Sequence, residues 1–172
     1  MKHMKASISH RFLTKEERAI LAEETKQSPY IGFIHESVWQ HFGKMFVIDR
    51  DQAVLGACAT IALRGWIKIG PLIILSRAQG KGLGKQLLTR VVSASGKQNL
   101  YIGTPNPKVM HMARTLEFQQ VNYLQLPGPV KYYLLHYLFE RISGDYIFSS
   151  LRKKLRSKNW GYAFFIKYAS KQ

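Results

Sequence analysis

At 172 residues with 46% hydrophobic content, the chain is long enough for one domain with a sizeable core and too apolar for a disordered segment. Its 26 Lys and Arg against 10 Asp and Glu give a formal net charge of +16, a strong positive field that attracts polyanions without by itself making any of them a partner. A lone cysteine, Cys58, excludes an internal disulfide framework, and no apolar run approaches the roughly 20 residues of a membrane span.

In chain order, residues 1–14 lack the apolar stretch of a signal peptide, so a cytoplasmic location is expected. Thr14 and Glu17 are spaced as a capping box, opening a helix whose apolar face begins with Ile20 and Leu21 and runs to about Thr25. Ser28 and Pro29 predict the start of a second helix, with Ile31, Ile34, Val38 and Phe42 at helical spacing and Gly43 just past its end. Residues 45–48 read as a strand, 49–52 as a polar turn and 53–63 as a second strand, together a hairpin. Cys58 lies mid-strand in an apolar stretch and reads as a small core residue.

Leu72, Ile73, Ile74 and Leu75 form a continuous apolar run that fits a strand buried on both faces. Leu83, Leu87, Leu88, Val91 and Val92 then repeat at helical spacing, and Gly96 is placed to cap the end of that helix. Residues 100–103 predict another strand, and Asn106 opens a helix with Val109, Met112, Ala113 and Leu116 on one face, followed by Phe118. Beyond Pro127, Gly128 and Pro129, two further helical stretches are expected over about 130–158, the second carrying Arg152, Lys153, Lys154, Arg156 and Lys158. Residues 161–168 read as a closing strand, and the histidines are scattered without a metal-like repeat.

Between the apolar strand and its helix lies Gln79, Gly80, Lys81, Gly82, Leu83, Gly84, Lys85. Three alternate glycines let the main chain turn sharply and bring its N–H groups close to a ligand, and a helix starting there adds unpaired donors and the positive end of its dipole. The expected ligand is anionic. A dinucleotide-binding turn would need a glycine at Lys85 and an acidic residue about 20 positions on, yet no Asp or Glu occurs between Asp51 and Glu117. A nucleoside-triphosphate P-loop also fails, because Gln86 stands where Ser or Thr is needed and Ala78 where glycine is needed.

Gln79, Gly82 and Gly84 resemble the acetyl-coenzyme A signature of the GCN5-related N-acetyltransferases (GNAT): Gln or Arg, two variable residues, Gly, one variable residue, then Gly or Ala. The order strand, strand, strand, helix, strand, helix is also that of the GNAT core. The resemblance spans roughly residues 12 to 126, with residues 130–158 as a helical insertion before the last strand. It implies an α/β fold with a mixed, mostly antiparallel sheet flanked by helices, in one domain over residues 1–172.

The resemblance also implies an acyl-CoA-dependent N-acyltransferase, with acetyl-CoA as donor, an amine as acceptor, direct attack in a ternary complex and no metal. Leu72, Ile73 and Ile74 would bond the pantetheine arm, with a main-chain N–H near Ile74 meeting the oxyanion. Gln79, Gly80, Lys81, Gly82, Leu83, Gly84 and Lys85 would hold the diphosphate, and Asn106 would contact the cofactor. His35, Glu36, Trp39 and His41 are candidate acceptor contacts or ordinary helix residues.

Three departures stand out: Ser76 replaces the usual proline, Glu117 replaces the glycine before Phe118, so that the helix end is expected to differ, and Ala113 occupies the position of the usual proton-donating tyrosine. They keep open a CoA-binding protein with weakened chemistry. The basic segment 145–158 offers contact with RNA or an anionic membrane surface, and aromatics among residues 132–148 offer a homodimer contact.

Overall fold

The computed structural model of the protein describes residues 6–140 and 161–169. The elements are β1 (Ser7–Arg11), α1 (Lys15–Gln27), α2 (Glu36–His41), β2 (Met45–Arg50), β3 (Ala53–Leu63), β4 (Trp66–Ile74), α3 (Leu83–Ala94), β5 (Asn99–Thr104), α4 (Pro107–Thr115), β6 (Gln119–Val121), α5 (Gly128–Glu140) and β7 (Ala163–Lys167). The strands are hydrogen-bonded in the order β1-β2-β3-β4-β5-β7-β6. Only β4 and β5 are paired in parallel among the registers resolved, so this is the mixed, mostly antiparallel α/β fold expected. The second stretch of the predicted helical insertion, with its basic segment 145–158, lies outside the described residues.

The chain divides into two compact units. The first comprises Met1–Gln27, Ile34–Ile61 and Ile69–Ser95. The Thr14 hydroxyl accepts from the Glu17 N–H at 3.2 Å and the Glu17 carboxylate accepts from the Thr14 N–H at 2.9 Å, a reciprocal cap that starts α1 as its spacing predicts. Glu17 is buried, and the Arg11 guanidinium engages both its oxygens at 2.7 Å, tying β1 to α1. The fork of bonds from Arg11 holds the Glu17 carboxyl below its ordinary value of 4.5, against the opposing effect of burial.

The second predicted helix is shorter than its periodicity suggests. Ser28 does not open it; its hydroxyl takes the N–H groups of Tyr30 and Ile31 at 3.3 and 3.2 Å, closing a local turn instead. Helix α2 begins only at Glu36, capped by the His35 ring. The hairpin between β2 and β3 turns through Asp51 and Gln52, both left-handed at φ 52° and 63°, the conformation that matches strand twist in a two-residue loop. Met45, Val47, Ile48, Cys58, Leu87 and Val91 are all fully buried here, which places Cys58 in the core.

The second unit comprises Ser28–Phe33, Ala62–Lys68 and Gly96–Gln172. Trp66 to Lys68 pair with Asn99 to Tyr101, and β5 pairs on its other edge with β7, which in turn carries β6. Trp66, Tyr101, Val121, Leu126, Val130 and Ile166 form its core. Helix α4 does not end differently for want of a glycine: Glu117 itself adopts the left-handed φ of 62°. The Phe118 N–H reaches the Ala113 carbonyl and the Glu117 N–H the Arg114 carbonyl, each at 3.0 Å, completing a Schellman closure.

Two outcomes follow from these contacts. Glu117 is exposed and its ion pair with Lys167 is long at 3.4 Å, so Glu117→Gly should relieve left-handed strain and raise the unfolding free energy measured in urea by about 0.5–1 kcal/mol. A carboxyl depressed in the folded state stabilises above its unfolded pKa, and that contribution disappears as pH falls through the folded value. Glu17→Gln should therefore cost about 1–2 kcal/mol at pH 7, and the gap from wild type should narrow in unfolding curves taken progressively below pH 4.5.

Candidate functional site

The site is built in the first unit, at the handover from β4 to α3. Ile73 is buried, while Leu72 and Ile74 are half-buried. A Cβ on Gly56 of β3 would lie 2.5 Å from the Ile73 carbonyl oxygen, so the closeness of these two strands depends on glycine there. Past β4 the Leu75 N–H donates to the Leu55 carbonyl at 2.9 Å, and Ser76–Ala78 wind one 3-10 turn. Gln79 reaches back rather than outward: its side-chain amide donates to the Ile74 carbonyl at 2.9 Å, bracing the strand end against the turn.

Gly80 and Gly82 are both left-handed, at φ 78° and 74°, and the space that a side chain on either would enter is open. Gly82 is the N-cap of α3 and offers no side-chain oxygen to its donors. The first return bond of the helix is Gln86 N–H to the Gly82 carbonyl at 3.1 Å. Among the described residues no internal carbonyl takes the N–H groups of Gly80, Lys81, Gly82, Leu83, Gly84 or Lys85. Leu83 is buried and anchors the helix start, whereas Lys81 and Lys85 are exposed. Six unpaired main-chain donors, two exposed lysines and a helix N-terminus thus meet at one turn, an arrangement that favours an anion.

The remaining predicted residues have other local partners. Asn106 belongs to the second unit and caps α4, its oxygen accepting from the Lys108 N–H at 2.9 Å, which leaves its amide NH2 for any ligand. His35 spends Nδ1 on the Ser37 N–H, 3.3 Å away, and Glu36 sits half-buried in the first turn of α2. The His41 Nδ1 lies 2.7 Å from the Ser37 carbonyl. Trp39 is only 1% exposed and packs edge-on against Phe42, so it is a core residue of the first unit, with a buried Nε1 that has no partner. Ala113 is wholly buried in α4.

Sequence reasoning missed Tyr101, whose hydroxyl is buried without a partner in the second unit. Burial first, and then the neighbouring Tyr162 and Tyr133, push its pKa well above the ordinary phenol value, keeping it neutral. The alternation Tyr101, Gly103 was the available signal: a Cβ on Gly103 would meet the Tyr101 and Tyr162 oxygens. The same unit holds a cavity of about 880 Å³ lined by Leu63, Arg64, Gly128, Pro129, Tyr132, Tyr133 and His136. Among the described residues that lining holds Arg64 and no carboxylate, so it suits a neutral or anionic ligand better than a polyamine. No cluster of three or more His, Cys, Asp or Glu that could hold a metal occurs among the described residues, nor any helix long and apolar enough to cross a membrane.

Compared with known proteins, residues 9–118 match the family model described as Acetyltransferase (GNAT) family. No curated protein matches the sequence. Among solved structures, the chain is similar to N-acetylglutamate synthase from Neisseria gonorrhoeae complexed with coenzyme A and N-acetyl-glutamate, with a TM-score of 0.66 and 15% identity over 99% of this chain. It spans only 36% of that larger chain. It is also similar to the ribosomal-protein-S18-alanine N-acetyltransferase from Escherichia coli, at TM-score 0.60 and 11% identity, covering 94% of this chain and 91% of the other. YncA from Salmonella typhimurium, with its cofactor acetyl-CoA, gives TM-score 0.61 and 15% identity, covering 98% and 96%. At these identities the likeness is one of fold.

The glycine contacts separate two kinds of substitution. Gly56→Ala forces a methyl group onto the Ile73 carbonyl and should cost about 1–3 kcal/mol in urea unfolding. Gly80→Ala meets nothing and should cost only the left-handed strain it introduces, about 1 kcal/mol.

Proposed function

The chain belongs to the acetyltransferase (GNAT) family, and on that premise we propose that it transfers an acyl group, acetyl from acetyl-CoA, to an amine. The single observation that carries the reading is the run of six unpaired N–H groups from Gly80 to Lys85, where the main chain leaves β4 and enters α3. Coenzyme A presents a diphosphate to such a cradle, and Lys81 and Lys85 add charge without requiring fixed contacts. The coenzyme A and acetyl-CoA complexes among similar folds support the same cofactor.

In this reading Leu72, Ile73 and Ile74 run alongside the pantetheine arm, and the brace from Gln79 to the Ile74 carbonyl fixes the end of that strand. A neutral amine attacks the thioester carbonyl carbon, the carbonyl oxygen takes up negative charge, the C–S bond breaks and the coenzyme leaves as thiolate. A main-chain N–H near Ile74 stabilises the oxyanion. The amine proton passes to a base or to a water chain, and the thiolate is reprotonated from solvent, since Ala113 has no hydroxyl to give. Most of the catalysis is then alignment of the two reactants. His35 and Glu36, both in the first unit, are the acceptor contacts this reading offers.

A second reading is favoured by Ala113 alone: a coenzyme A-binding protein with little turnover. Thiol release separates the two, because only the enzyme frees coenzyme A when acetyl-CoA meets an acceptor amine.

Gly82→Trp projects an indole into the open space of the cradle. Calorimetric titration with acetyl-CoA should show binding to wild type and a loss of at least about 100-fold in the variant, equivalent to roughly 2.7 kcal/mol. The variant should stay folded at a cost of about 1–2 kcal/mol for its left-handed side chain. Equal affinity in both proteins would contradict the assignment.

A further inference from the structure

The anion cradle is open, but the stem from which it rises is tied down, and one tie comes from a helix far away in sequence. Ser76 opens the 3-10 turn between β4 and the glycines. Its N–H donates to Glu24 Oε1 of α1 at 2.9 Å, and its hydroxyl donates to the same carboxylate oxygen. Arg77 is held by the Val54 carbonyl at 3.1 Å, and Gln79 by the Ile74 carbonyl. From Gly80 onward no such tie exists among the described residues until Gln86. The stem is fixed on three sides and the donors begin one residue later.

Glu24 is an unexpected neighbour for an anion site. A carboxylate near bound diphosphate is repulsive, so its charge alone would weaken coenzyme binding. What it supplies instead is a shared acceptor for two donors of one residue, which fixes both the main chain and the side chain of Ser76. An anion site made of main-chain N–H groups depends on their being held in register before the ligand arrives, since ordering a loose loop on binding subtracts from affinity.

We propose that Glu24 is a positioning residue for the coenzyme site: by clasping Ser76 from α1 it holds the stem of the Gly80–Gly84 loop in its binding conformation. The inference rests on the acyl-CoA reading of that loop. It gives α1 a part in cofactor affinity without touching the cofactor.

Stem geometry supplies a way to separate positioning from charge and from plain stability. Leu75 has φ −56° and ψ 140°, the extended conformation compatible with a following proline, and Ser76 occupies the first position of a 3-10 turn, where a proline ring fits and its missing N–H breaks no ladder bond. Ser76→Pro can therefore fix the stem covalently with no help from Glu24.

The test measures the Kd of coenzyme A by calorimetry, the KM of acetyl-CoA and kcat by thiol release, and the thermal midpoint, in four proteins. Glu24→Ala should weaken coenzyme A about 5- to 20-fold, roughly the worth of a charge-assisted hydrogen bond, and raise KM in step with kcat at saturating acetyl-CoA unchanged. Glu24→Gln keeps an acceptor oxygen without the charge and should stay within about threefold of wild type. Glu24→Ala combined with Ser76→Pro should return to within about threefold as well, whatever its thermal midpoint. Binding by Glu24→Ala equal to or tighter than wild type overturns the inference, as does a double variant no better than Glu24→Ala. Absence of coenzyme A binding in wild type would instead remove the acyl-CoA reading itself.

Discussion

A helix that begins without a side-chain cap leaves its first N–H groups unpaired, and the function proposed for this protein depends on that deficit being kept open. Gly82 stands at the N-cap of α3 and has no side-chain oxygen to offer, so the donors of Leu83, Gly84 and Lys85 remain as the helix leaves them. The left-handed turns at Gly80 and Gly82 line up further N–H groups before the helix begins, with no side chain in the way. Most helices satisfy such donors locally. Leaving them unpaired is tolerable where solvent or an anion can reach them, and the exposure of Lys81, Gly82 and Lys85 meets that condition.

The surrounding fold makes that arrangement rigid. Leu83, Leu87 and Val91 bury the inner face of α3 in the first unit, so the helix start cannot drift. On the strand side, Gly56 lets β3 approach the Ile73 carbonyl closely, and Gln79 closes the short path from strand end to glycine turn. Arg11, Glu17 and Thr14 set the start of α1, and α1 carries Glu24 to Ser76. A chain of local bonds thus links the N-terminal strand to the stem of the anion cradle. The second unit makes its own contribution as a separate body, with a buried neutral Tyr101 and a cavity walled by Tyr132 and Tyr133.

Much of this was legible in the residues, and the failures have physical reasons. The capping box of Thr14 and Glu17, the hairpin turn, which the structure narrows from 49–52 to Asp51 and Gln52, and the glycine loop are local patterns, and local patterns survive in a single sequence. The helix expected from Ser28 did not form there because the Ser28 hydroxyl competes for the Tyr30 and Ile31 amides, an option periodicity does not register. Strand β1 escaped notice because Ser7-Ile8-Ser9-His10-Arg11 has one apolar residue and owes its place to pairing with β2. Glu117 was expected to alter a helix end, yet the Schellman bonds impose the left-handed turn on a non-glycine residue. The Glu24–Ser76 bond joins residues 52 apart and is invisible to any window. Trp39 lies three residues before Phe42 on the apolar side of its helix, the sign that it belongs to the core and not to a site.

The central claim, that main-chain amides at the β4–α3 handover grip the coenzyme diphosphate, is tested most directly by the amide resonances themselves. With uniformly 15N-labelled protein titrated with coenzyme A, the N–H signals of Gly80, Gly82, Leu83 and Gly84 should move most and shift downfield, as donors do on bonding a phosphate oxygen. Saturable coenzyme A binding with those four signals unmoved would contradict the account.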